Sequence, residues 1–118
     1  MRTVAIGMLA ACALMLAACG EPLPTDKQAY AGEWRAQNVY LLITPDGRCE
    51  YERKRGTGNV SINAPIQRFE GDNFVVGLGP FTTTFHVNKA PRLEEGKWKM
   101  TVDGVELTRT SAIGETQA

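Results

Sequence analysis

Lys97-Trp98-Lys99-Met100-Thr101-Val102-Asp103-Gly104-Val105-Glu106-Leu107-Thr108-Arg109-Thr110 decides the fold class. Trp98, Met100 and Val102 alternate with Lys97, Lys99 and Thr101. After Asp103-Gly104 the alternation resumes, Val105 and Leu107 against Glu106, Thr108 and Thr110. A period of two is that of a half-buried antiparallel strand. An Asp-Gly pair between two such runs favours a two-residue type I′ turn, because both turn residues must take positive φ. That turn sets the register: Val102 faces Val105, Met100 faces Leu107, and Trp98 faces Arg109 on one side of the ribbon. The Arg109 guanidinium can then lie over the Trp98 ring.

The same reading extends outward. Val39 to Thr44 lead through Pro45-Asp46-Gly47 into Arg48 to Arg55, where Cys49 and Tyr51 alternate with Arg48, Glu50, Glu52 and Lys54. Proline first in the turn and glycine after Asp46 suit a tight connection. Val60 and Ile62 alternate with Asn59, Ser61 and Asn63, and Phe74, Val76 and Leu78 mark a short apolar strand. In the next strand Phe81, Thr83, Phe85 and Val87 share one face, with Thr82, Thr84, His86 and Asn88 on the other. No mature segment repeats apolar residues every third or fourth position, and the connections are short. The expectation is all-β: a small antiparallel meander barrel or sandwich of seven to eight strands.

The chain opens with Met1-Arg2-Thr3 and an uncharged apolar run from Val4 to Leu16, followed by Ala17-Ala18-Cys19-Gly20. This is the layout of a secretory signal peptide, too short to cross a bilayer, which takes about 20 apolar residues. Leu16-Ala17-Ala18-Cys19 resembles the lipobox of bacterial lipoproteins. That resemblance implies cleavage after residue 18, lipidation of Cys19, and anchoring in the cell envelope facing the periplasm. Gly20 is not the aspartate that retains many lipoproteins in the inner membrane, which favours the outer one. Leu9-Ala10-Ala11-Cys12 repeats the pattern, but cleavage there would leave a very short apolar region, so Cys19 is the expected site.

Residues 1–18 then form the signal, 19–28 the lipidated N-terminus and a proline-bearing tether, 29–110 a single β-domain, and 111–118 a flexible tail. Removing the signal deletes Arg2 and no acid, so 12 Lys+Arg face 13 Asp+Glu, a net charge of −1. Nothing in that balance suggests a nucleic-acid partner.

Little in the mature chain suggests catalysis. With His86 the only histidine and Cys49 the only mature cysteine besides Cys19, zinc sites built from Cys and His pairs are excluded by counting, and no metal or cofactor is expected. Cys49 reads as a small buried filler. Asp46 and Asp103 lie in turns where their side chains are occupied locally. Neither Ser61 nor Ser111 lies in a nucleophile-elbow sequence that His86 could serve. Gly77-Leu78-Gly79-Pro80 leads into a strand rather than a helix, so it reads as a sharp bend and not a phosphate loop.

Two candidate contact surfaces remain. One is the polar face of Thr82, Thr84 and His86, suited to a partner protein or polysaccharide. The other is Arg53-Lys54-Arg55, which, interspersed with Glu50 and Glu52, reads first as a charged strand end that discourages edge pairing and second as a phosphate contact.

Gly32-Glu33-Trp34 with the distant Arg109 resembles the Gly-x-Trp plus Arg pair of lipocalin-like barrels. That resemblance implies an Arg packed across the first strand's Trp and carriage of a small apolar ligand. The leading expectation is a non-enzymatic envelope lipoprotein that binds another envelope component or supports an assembly. The alternatives are the lipocalin-like carrier and a His86-dependent enzyme.

Overall fold

The computed structural model describes residues 21–111. The expected signal segment, Cys19, and residues 112–118 of the expected tail lie outside them. The described chain forms a short 3-10 helix, Thr25–Tyr30, followed by nine strands. These are β1 (Gly32–Ala36), β2 (Val39–Ile43), β3 (Arg48–Arg55), β4 (Gly58–Glu70), β5 (Asn73–Leu78), β6 (Phe81–Phe85), β7 (Val87–Glu94), β8 (Lys97–Val102) and β9 (Val105–Ser111). All pairings are antiparallel, in the order β6-β5-β4-β3-β2-β1-β9-β8-β7, and the sheet curls into a half-barrel. Its edge strands, β6 and β7, are consecutive in the chain with His86 alone between them.

The strand number corrects the expected seven to eight, and the reason is local. Phe81 to Asn88 reads as one strand, yet its first part pairs with β5, Phe85 opposite Phe74, while Val87 pairs with Val102 of β8. His86 is where the chain leaves one edge of the sheet for the other. Two hydrogen bonds fix the crossing to the β8–β9 turn: His86 N donates to Asp103 Oδ1 (3.0 Å) and Asp103 N to His86 O (2.8 Å). Asp103 is therefore engaged across the fold rather than within its own turn. The turn itself has positive φ at Asp103 (48°) and Gly104 (81°), as type I′ geometry demands. Val102 lies opposite Val105 and Met100 opposite Leu107.

β4 makes a similar change of partner. It pairs with β3 from Gly58 to Pro65 and with β5 from Ile66 onward, with a register shift between Ile66 and Arg68. Pro65 sits at that junction, where a missing N–H disturbs neither ladder.

One core fills the concave side. Trp34, Leu41, Ile43, Cys49, Phe74, Met100 and Leu107 are fully buried, and Tyr51, Ile66, Phe85 and Val102 join them. Trp34 Nε1 donates to Tyr30 O (2.9 Å), so the largest core side chain has its polar atom satisfied. Aromatic rings run across this core: Tyr30 meets Phe74 edge-on, Phe74 stacks on Phe85 (5.0 Å), and Phe85 meets Tyr51 (4.9 Å).

The domain also begins earlier than the expected tether allows. Leu23 is buried in the core, its N–H donates to Pro45 O (3.0 Å), and Lys27 lies over the Phe69 ring (5.7 Å). Gly47, at φ 89°, makes room for this segment, since a Cβ there would lie 2.0 Å from Glu21 O. At the other end Ser111, expected in the tail, extends β9 and pairs with Glu33.

Burial pushes the Cys49 thiol up from 9.0 to about 12, with Glu50 adding to the effect. Burial, then Asp72 and Asp26, lifts Tyr30 from 10.0 to about 12. Both groups ionise more readily in the unfolded chain, so their contribution is intact below pH 9 and is lost as pH rises towards 12. Thermal melts should show the melting temperature falling across that window. Between pH 9 and 10, where the thiol contributes most, Cys49→Val should flatten the fall.

Candidate functional site

Where β6 turns away from the β3–β4 hairpin, the concave side is left open. A groove of about 330 Å³ lies there, lined by Tyr51, Arg53 and Arg55 of β3, Val60 and Ile62 of β4, Thr83 and Phe85 of β6, and Asp103. Its floor is the end of the aromatic run, Tyr51 against Phe85. Along β6 the face of Phe85 and Thr83 continues to Phe81, which is 82% exposed. Its cross-strand partner Leu78 is 67% exposed. The end of the β5–β6 hairpin thus presents Phe81 and Leu78 to solvent beyond the groove.

Alternation along β3 sorts the charges. Cys49, Tyr51, Arg53 and Arg55 share the concave face, while Glu50, Glu52 and Lys54 point to the outer one. Glu50 and Glu52, interspersed with the basic run in sequence, therefore lie on the opposite face from Arg53 and Arg55. The other arginines among the described residues have partners. Arg35 lies over Tyr40, Arg48 bonds Asn63, Arg68 pairs with Glu70, Arg92 with Glu94 and Glu106, and Arg109 lies over Trp98 (5.2 Å). Among the described residues, the Arg53 and Arg55 side chains have no hydrogen-bond, ion-pair or ring partner, and both face the groove.

The two contact surfaces expected from sequence are not one. Thr82, Thr84 and His86 are exposed on the outer face of β6, away from Arg53 and Arg55, and Lys54 joins Arg35, Tyr40 and Glu52 in a shallow hollow around the far side. His86 engages its neighbours through its main chain. Asp46 accepts from Thr44 Oγ1 within its turn, and with Gly47 it belongs to the end of the domain that holds Leu23. Among the described residues no cluster of His, Cys, Asp and Glu could hold a metal ion, and no helix is long and apolar enough to cross a membrane.

Trp34 and Arg109 are direct cross-strand partners, yet the guanidinium lies over Trp98 instead. The register shift between Glu33 and Trp34 and the complete burial of the Trp34 ring leave Trp98 as the accessible face. The barrel interior that a carrier would hollow out is occupied by Trp34, Phe74, Met100 and Leu107. Sequence reasoning missed the groove because Val60, Ile62 and Thr83 are unremarkable alone and meet only through the curl of the sheet. The one available signal was that Arg53 and Arg55 share the parity of Cys49 and Tyr51. No family model, curated protein or solved structure matches the chain.

Proposed function

We propose that this protein is a non-enzymatic binding module of the bacterial envelope, anchored by lipid on Cys19, whose groove takes a partner carrying negative charge on an apolar or extended stem. The observation that carries the reading is the pair Arg53 and Arg55, whose side chains have no partner among the described residues and stand above the apolar floor of Tyr51, Val60, Ile62 and Phe85. Guanidinium groups bind carboxylate and phosphate through paired, charge-assisted hydrogen bonds, and a low-polarity floor strengthens them. With a mature net charge of −1, the attraction is local to the groove rather than a property of the whole surface.

The placement of the groove argues about the partner's whereabouts. Leu23, next to the proposed anchor, packs by the β2–β3 turn at the start of β3, whereas Arg53 and Arg55 lie at its end. An anchored domain would hold the groove away from its own lipid surface, which favours a periplasmic component of the envelope over the nearest head groups.

Labelled palmitate should enter the wild-type chain and fail to enter Cys19→Ser. A photo-crosslinking residue at Val60 in the full chain should give a discrete adduct in intact cells. Arg53→Glu/Arg55→Glu should cut its yield at least tenfold, while replacing Thr82, Thr84 and His86 by Ala should leave it unchanged. An adduct indifferent to the charge reversal, or no adduct at all, would sink the groove as the binding site.

A further inference from the structure

The two edges of the sheet are treated very differently. β7 has two register shifts, between Val87 and Lys89 and between Lys89 and Arg92, and contains Pro91 and Lys89. Bulges, proline and lysine are the devices by which natural edges refuse another strand. β6 has none of them. Phe81 to Thr84 are exposed, no charge or proline lies within the strand, and its side away from β5 has no main-chain partner among the described residues. An edge left this open is a template for another strand.

The sequence of that edge points to its occupant. Phe81-Thr82-Thr83-Thr84-Phe85 reads the same in both directions. An antiparallel two-fold pairing needs one patch to complement itself, residue i meeting j while j meets i. Centred on Thr83, such a pairing sets Thr83 against Thr83, Thr82 against Thr84, and Phe81 against Phe85. Threonine pairs and aromatic pairs are among the favourable cross-strand neighbours, and no like charges meet. Phe81, 82% exposed in the single chain, would then lie beside the Phe85 of the second copy, at the mouth of that copy's groove.

We propose that β6 pairs with β6 of a second copy of this chain, antiparallel and centred on Thr83, covering both exposed Phe81 rings. The inference goes beyond the binding reading and does not rest on it. Five residues a side and one ring each place the contact below the ~1,200 Å² of standard stable interfaces, so it belongs to the transient class. A covalent trap is the suitable test.

At the two-fold axis the Cα atoms of the two Thr83 residues would be about 4.5–5.5 Å apart, inside the range a disulfide spans. The two Thr82 residues would be about 8 Å apart, outside it. Thr83→Cys and Thr82→Cys are made in the full chain carrying Cys12→Ser and Cys19→Ser, held in detergent micelles, with Cys49 buried in both. Under mild oxidation Thr83→Cys should give a disulfide-linked dimer on a non-reducing gel in at least tenfold greater yield than Thr82→Cys. Equal yields, or no dimer from Thr83→Cys, overturn the proposal.

Discussion

Trp34→Ala is expected to destabilise the domain by about 3–5 kcal/mol, the range for deleting a fully buried large aromatic side chain. Trp34 has no exposed surface, stands near the centre of the core, and its removal leaves the Tyr30 carbonyl without the indole donor it now has. For a domain of this size each kcal/mol lowers the melting temperature by about 4–8 °C, so the fall should exceed about 12 °C. Native stabilities are about 5–15 kcal/mol, which makes a loss of this size a large share of the total. Urea titration followed by tryptophan fluorescence measures it through the remaining Trp98. A loss under about 1 kcal/mol would mean that Trp34 is not the packing centre described.

Gly77→Ala should act as strongly but in one place. A Cβ on Gly77 would lie 2.1 Å from Phe81 O and 2.8 Å from Thr82 Cα, and the backbone sits at φ 149°. Both obstacles are main-chain atoms of the neighbouring strand, so relief requires β5 and β6 to separate. The expected loss is at least about 2 kcal/mol, combining backbone strain with broken ladder bonds. Hydrogen exchange should show the amides of β5 and β6 losing protection while those of β1 to β3 keep theirs. Gly71→Ala is the matched control: its φ is 63°, but nothing lies within 4 Å of the added carbon, so only the modest strain of a left-handed alanine applies. Equal effects at the two glycines would refute the close approach at Gly77.

How much of this was legible in the sequence depends on whether the period of two survives. It survives from Lys97 to Thr110 and from Val39 to Arg55, and there the strands, the turns and the register follow from side-chain parity. It fails at Ile66 to Phe69 and at Val87 to Arg92, where register shifts put an even number of residues between side chains that face the same way. Ile66 and Phe69 both pack on the core at a spacing of three, so the second half of β4 carries no alternation to read. The same irregularity hid the length of β7 behind Pro91. Leu23 was hidden differently: one apolar residue among prolines and polar groups has no period, and only the turn at Pro45 to Gly47 shows where it docks. The groove could not be read at all, because its walls come from strands that meet through the curl of the sheet.

The docking of Leu23 turns the N-terminal segment from a long leash into a short post. Between the proposed lipid on Cys19 and Leu23 stand Gly20, Glu21 and Pro22, with Glu21 already lying against Gly47, so the span to the bilayer is at most about 10 Å. From Arg48 to Arg55, β3 itself is about 23 Å long. On the proposed anchoring and groove, a domain mounted this way would work as a ruler. It would meet components whose charged groups stand at one altitude over the bilayer and pass over those that lie flat on it, and the thickness of the domain itself would become a criterion of recognition.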